Sequence, residues 1–154
     1  MLKYVNSQVV FAEFPTEVAL AINLSLCPNK CKGCHSAYLT TDMGEILDRE
    51  AIDELIERNQ GITCLGFMGG DNDPQALFGL MTYAKEKYGL KIGWYSGRDE
   101  VCSFIYDSMQ CDYMKIGHYD DQYGPLNSLT TNQKMLKLTM HGYQDITDVF
   151  QKKN

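Results

Sequence analysis

Cys27, Cys31 and Cys34 lie within eight residues, in the run Cys27-Pro28-Asn29-Lys30-Cys31-Lys32-Gly33-Cys34-His35, a C-x3-C-x2-C spacing. Thiols this close together, on a short loop containing Pro and Gly, can converge on one metal centre. That is the chemistry clustered cysteines suggest in a reducing compartment, where disulfides are rare. Two metal chemistries stand open. A structural zinc ion would take the three thiolates and a fourth ligand such as His35. Adjacent Cys34 and His35 are badly placed to share one tetrahedral ion, however, and no second C-x2-C pair is present. A four-iron cluster is the other candidate: it takes thiolates as ligands, so three local cysteines leave one iron open to a substrate. The remaining cysteines, Cys64, Cys102 and Cys111, are scattered over expected strand and helix segments and read as small buried hydrophobes.

The elements that must carry this loop alternate between strand and helix. Residues 18–26 (VALAINLSL) read as a buried strand running directly into the cysteines. Residues 48–60 read as an amphipathic helix, with Asp48 as N-cap, Ile52, Leu55 and Ile56 on one face, and Gly61 at the stop. A strand at 62–68 ends in Gly69-Gly70-Asp71. The next helix is capped by Asp73, opens on Pro74, buries Leu77, Leu80, Met81 and Ala84, and closes at Gly89. A third strand at 91–95 exits through Ser96-Gly97-Arg98, a short helix is expected from about 99 to 109, and a fourth strand at 113–117. Strands alternating with helices imply parallel pairing with crossover helices, and in such sheets ligand groups collect at the carboxyl ends of the strands. Beyond residue 120 the rhythm stops. A turn-rich loop (Gly124-Pro125-Leu126-Asn127-Ser128) precedes a hairpin of 134–140 and 144–149 around His141-Gly142, and residues 2–14 carry strand-like alternation suited to an edge strand.

Composition narrows the function classes. The chain has 154 residues, 44% hydrophobic and 22% charged, which is ordinary globular usage and fits a single domain over 1–154. Its length is short of the ~250 residues of a complete (β/α)8 barrel. With Lys plus Arg at 14 and Asp plus Glu at 20, the net charge of −6 argues against a surface built to coat nucleic acid or anionic lipid. The longest apolar stretch is interrupted by Asn23 and Ser25 and is too short to span a membrane; no basic-then-apolar leader opens the chain, so a cytoplasmic protein is expected. No Walker-type or G-x-G-x-x-G element is present, and neither is a Ser–His–Asp constellation or a cysteine nucleophile with an assignable base. His118 and His141 have no evident sequence partner.

The C-x3-C-x2-C motif resembles the signature of the radical S-adenosylmethionine enzymes. Met68-Gly69-Gly70-Asp71 looks like that family's glycine-rich motif after the second strand, with Asp71 where Glu is usual. Asp112-Tyr113-Met114-Lys115-Ile116-Gly117, followed by Gly124-Pro125-Leu126-Asn127-Ser128-Leu129-Thr130-Thr131-Asn132-Gln133, resembles one short branch: the activating proteins of anaerobic (class III) ribonucleoside-triphosphate reductases. Gly33 stands where many relatives place an aromatic that leans on adenine.

The resemblance implies an α/β fold, an incomplete parallel β/α barrel of the radical-SAM type with a C-terminal extension or hairpin. It implies that Cys27, Cys31 and Cys34 hold a [4Fe-4S] cluster, with no catalytic side chain beyond it, and that S-adenosyl-L-methionine binds the open iron. Gly69 and Gly70 would admit the cofactor's methionine end, Asp71 would accept from its ammonium, and Ser96, Gly97 and Asn132 would touch its ribose, carboxylate or adenosine. Arg98 would pair with a carboxylate, Gln133 would join Asn132, Lys115 would sit on the same rim, and His35 would lie outside the ligand set. The implied partners are the large subunit of an anaerobic ribonucleoside-triphosphate reductase and an electron donor such as flavodoxin, with no nucleic acid and no membrane. A formate-lyase type activase and a zinc-stabilised interaction module remain the alternatives.

Overall fold

A computed structural model describes residues 1–25 and 42–151. The expected strand–helix alternation forms the middle of one mixed sheet. Four parallel strands lie side by side at its centre: β2 (Ala19–Leu24), β4 (Cys64–Met68), β5 (Lys91–Tyr95) and β6 (Tyr113–Ile116). On one side β1 (Lys3–Val10) pairs antiparallel with β2, and the two-residue β3 (Glu45–Ile46) pairs with β1. On the other side β7 (Lys134–Thr139) and β8 (Gly142–Asp145) continue antiparallel from β6. The order β3-β1-β2-β4-β5-β6-β7-β8 is linear, so the sheet is open, and its two ends do not meet. The fold is α/β with a parallel centre and antiparallel margins.

Local signals set the two longer helices where expected. In α1 (Arg49–Arg58) the Asp48 carboxylate accepts from the Ala51 amide at 2.9 Å, which satisfies one of the orphan donors of the first turn. In α2 (Pro74–Tyr88) Asp73 does the same for Ala76, and Gly89 ends the helix in the left-handed conformation. Three expectations are corrected. The third helix, α3, runs only over Ser103–Ser108 instead of starting near 99, because Arg98 and Asp99 are tied to the exits of neighbouring strands. Residues 2–14 do not make the edge strand, since β3 lies outside β1. The hairpin's return strand stops at Asp145, whose carboxylate caps Thr147 at 2.9 Å and turns 147–150 into a 3-10 helix.

The two faces of the sheet are covered differently. Side chains alternate across a strand. Leu20, Ile22, Leu65, Phe67, Ile92 and Trp94 therefore face one way, into a core shared with Ile52, Leu55, Ile56, Leu77, Met81 and Ile105 of the helices. The opposite face carries Ala19, Cys64, Gly66, Gly93 and Tyr113, and against it lies the fully buried Phe14 from the β1–β2 connection. Gly66 and Gly93 are register partners, and a β-carbon on either would fall 2.5 and 2.3 Å from the Phe14 ring. The ring is an edge-to-face neighbour of Tyr95 at 5.2 Å, and Tyr95 Oη donates to the Glu13 carbonyl at 2.7 Å. At the amino ends of the same strands, buried Glu17 accepts from Thr63, Lys91 and Tyr113 at 2.9, 3.1 and 3.2 Å. No described helix is long and apolar enough to cross a membrane.

Candidate functional site

The carboxyl ends of the parallel strands converge on one rim. Cys27, Cys31, Cys34, Gly33 and His35 lie outside the described residues. The last described residue before them, Ser25, follows β2 directly, and its amide donates to the Lys3 carbonyl at 2.9 Å. The neighbouring strand β4 leaves through Gly69 and Gly70. Both have positive φ, 118° and 99°, a region L side chains rarely adopt. A β-carbon on Gly69 would lie 3.3 Å from that of Leu24, and one on Gly70 3.0 Å from Leu77 Cδ2 and 3.2 Å from Leu24 Cδ1. The two glycines therefore let the β4 exit pack against Leu24, the last residue of β2. Trp94 Nε1 donates to the Gly69 carbonyl at 2.8 Å and fixes that peptide.

Asp71 joins two of the exits. It is 3% exposed, and its carboxylate accepts from Ser96 Oγ at 2.6 Å and from the Gly97 amide at 2.9 Å. Arg98 adds to the same knot. Its amide donates to Ser96 Oγ at 3.2 Å, and its guanidinium donates to the Asp71 main-chain carbonyl at 3.2 Å. Five residues singled out from sequence, Gly69, Gly70, Asp71, Ser96 and Gly97, are thus brought together. These contacts give Asp71 the part of a pin between the loops after β4 and β5.

Beyond β5 the rim continues at β6. Gly117 has φ 106°, its amide donates to the Arg98 carbonyl at 2.7 Å, and Gln133 Nε2 donates to its carbonyl at 3.3 Å. Asn132 Nδ2 donates to the His118 carbonyl at 3.1 Å, and Asn132 Oδ1 is buried with no hydrogen-bond partner among the described residues. Asn132 therefore stands one strand away from the Asp71 knot, on its own cleft. Lys115 places its ammonium 5.4 Å from the centre of the Tyr95 ring.

Among the described residues, two adjoining clefts border the Asp71 knot and Asn132. The larger, about 740 Å3, is bordered by Asp71, Trp94, Gly97, Arg98 and Cys102; the smaller, about 330 Å3, by Gly117, Asn132 and Lys134. Asp99 and His118 belong to the walls of both. The larger cleft has the size of a small-molecule site, and it presents Arg98 beside acidic side chains, a mixture suited to a ligand carrying both signs of charge.

His118 is the residue the sequence left without a partner. Its Nδ1 lies 2.7 Å from Asp99 Oδ1, which also accepts from the His118 amide at 3.2 Å. The pair is 19 positions apart and meets only because β5 and β6 are neighbours, so no local signal could have shown it. The scattered cysteines behave as small hydrophobes. Cys64 and Cys111 are buried, and burial pushes both thiols up, that of Cys111 to about 12, so the thiolate a metal needs is disfavoured at either. Cys111 Sγ packs 3.6 Å from Met81 Sδ, and Cys102 is half-buried in the wall of the larger cleft. Among the described residues no group of three or more His, Cys, Asp or Glu is arranged to hold a metal ion. No protein-family model, characterised protein or solved structure matches the chain.

Proposed function

We propose that this chain is a radical S-adenosylmethionine activase that installs a glycyl radical on a partner enzyme, in the manner of the activating proteins of anaerobic ribonucleoside-triphosphate reductases. One observation carries the reading. Strand β2, which leads in sequence to the C-x3-C-x2-C segment, ends at Leu24, and Leu24 packs against the glycine turn of β4 that runs on into the Asp71–Ser96–Gly97 knot. The residues fit the implied groups. Three thiolates match three irons of a four-iron cluster and leave the fourth open, and a cleft of about 740 Å3 with both signs of charge suits a zwitterionic, cationic cofactor.

Cys27, Cys31 and Cys34 would hold a [4Fe-4S] cluster, which would supply the one-electron reduction, fed by a donor such as flavodoxin, that splits S-adenosylmethionine. The net outcome would be methionine, 5′-deoxyadenosine carrying a hydrogen atom taken from a glycine of the partner, and a glycyl radical on that partner. The chain's own part is positional. Gly69 and Gly70 bring the β4 backbone close to Leu24, at the end of the strand that leads in sequence to the cysteines. Asp71 keeps the loops after β4 and β5 at a fixed spacing, and Arg98 presents a cation at the cleft wall. A fixed geometry matters here because a bound, aligned cofactor reacts as one unit with the group beside it. The reading makes the fold an incomplete radical-SAM barrel, whose open sheet leaves room for the backbone of another protein as substrate.

Anaerobic reconstitution with iron and sulfide tests it. The expected result is a reducible four-iron cluster whose EPR signal changes on adding S-adenosylmethionine. Cleavage to 5′-deoxyadenosine should be lost in Cys27→Ala, Cys31→Ala or Cys34→Ala and kept in Cys64→Ala, Cys102→Ala or Cys111→Ala. A glycyl-radical doublet on mixing with an anaerobic ribonucleotide reductase, and none with a formate-lyase type enzyme, assigns the partner. Tightly bound zinc in place of iron, with no response to the cofactor, overturns the reading in favour of an interaction module.

A further inference from the structure

His118, which shares with Asp99 the wall between the two clefts, has a carboxylate on either side of its ring. His118 Nδ1 meets Asp99 Oδ1 at 2.7 Å, and its Nε2 faces Asp120 Oδ2 at 3.8 Å. Asp99 belongs to the loop after β5. Asp120 opens the loop after β6, where its carbonyl accepts from Tyr123 and Gly124 at 3.0 and 2.9 Å and its Oδ1 from the Gln122 amide at 3.0 Å. That turn is in turn bound to the stretch leading to Asn132, through Thr130 Oγ1 donating to the Tyr123 carbonyl at 2.6 Å and Thr131 Oγ1 to that of Gly124 at 3.4 Å. A change at one imidazole is therefore connected to both clefts.

We propose that His118 is a protonation-operated clasp, whose charged ring bridges Asp99 and Asp120 and draws the loop after β5 and the 119–124 turn together across the mouth shared by the two clefts. The inference stands whatever the clefts bind.

The chemistry follows from the two ring nitrogens. A neutral imidazole has one N–H, and the short Nδ1 contact with Asp99 places it there, so Nε2 turns a lone pair toward the Asp120 carboxylate. Protonation makes Nε2 a donor as well, and the repulsive side of the clasp becomes attractive. The groups facing the ring favour the charged form. The hydrogen bond that the ring donates to Asp99 leads, partial burial opposes it, and the charges of Asp99 and Asp120 add to it, so the imidazole titrates above its ordinary value of 6.5. Arg98, Glu100 and Lys134 line the same clefts; the Arg98 guanidinium is engaged by the Asp71 carbonyl. A group whose pKa is raised on folding contributes its stabilisation fully below the unfolded value and loses it as pH rises through the folded value. The clasp is therefore closed in mild acid and opens toward alkaline pH.

The test is an NMR pH titration of the full chain without added ligand, following the His118 ring and the amides of Gly117, His118 and Gln122. The expected result is that the ring and all these amides share one midpoint above 6.5, because those amides donate to Arg98, Asp99 and Asp120. In Asp99→Asn the ring midpoint should fall by about one pH unit, the lower end of what loss of an adjacent opposite charge produces. In His118→Gln, which keeps a side-chain donor but cannot titrate, the shared transition of Gly117 and Gln122 should vanish while spectral dispersion is retained. Amides that ignore the ring's midpoint, a transition that survives in His118→Gln, or a midpoint unmoved in Asp99→Asn would each overturn the clasp.

Discussion

Replacing Asp71 with Ala separates a scaffold role from a ligand-binding one. The carboxylate is buried and accepts from Ser96 Oγ at 2.6 Å and the Gly97 amide at 2.9 Å. Hydrogen bonds to a charged acceptor contribute about 1.5–3 kcal/mol each, and the two share one carboxylate, so their losses do not add fully. Asp71→Ala should therefore cost about 3 kcal/mol. With a urea slope of about 2 kcal/mol/M, the unfolding midpoint falls by about 1.5 M at unchanged slope. Ser96→Ala removes one of the bonds and the acceptor of the Arg98 amide, and should cost about 1–2 kcal/mol. The double variant decides whether the groups act together, since residues in one hydrogen-bond network couple by roughly 0.5–3 kcal/mol. Chemical unfolding with the cysteines kept reduced is the assay. If Asp71→Ala stays within about 0.5 kcal/mol of the parent, or the cycle shows no coupling, the pin is not structural and the reasoning fails.

Gly93→Ala should cost about 2–3 kcal/mol, because its β-carbon would fall 2.3 Å from Phe14 Cε1 while Gly66 holds the ring from the other strand. Phe14→Leu in the same chain should recover part of that loss, and a fully additive pair would show that the ring is not the obstacle. Acid stability is set in part by Glu17. Burial works against its charge, but the hydrogen bonds from Thr63, Lys91 and Tyr113 outweigh it and hold the carboxyl below its ordinary 4.5. Its stabilisation is present above 4.5 and is lost as pH falls through the lower folded value, so Glu17→Gln should flatten that part of the stability profile. An unchanged acid limb in Glu17→Gln would refute the assignment.

What could be read along the chain was what acts within a few residues. Asp48, Asp73, Pro74 and Gly89 mark helix ends by hydrogen bonds and backbone geometry that reach no further than one turn, and the structure has them in those places. The buried runs of β4 and β5 announce parallel strands because both faces are covered. The cut-short start of α3 and the position of β1 inside β3 were not readable, since each depends on a segment tens of residues away. The same holds for Phe14, whose seat exists only when Gly66 and Gly93 pair in register.

The site divides along the same line. By its own residue types and spacing the sequence determined the inventory: three closely spaced thiols, a glycine pair, an acid after it, and polar residues at the next strand exit. Tertiary structure alone decided their partners. Asp71 meets Ser96 and Gly97 across 25 and 26 positions, and His118 meets Asp99 across 19. Parallel pairing of β4, β5 and β6 sets those meetings, because it lines up the carboxyl ends of strands that the chain itself keeps a whole helix apart.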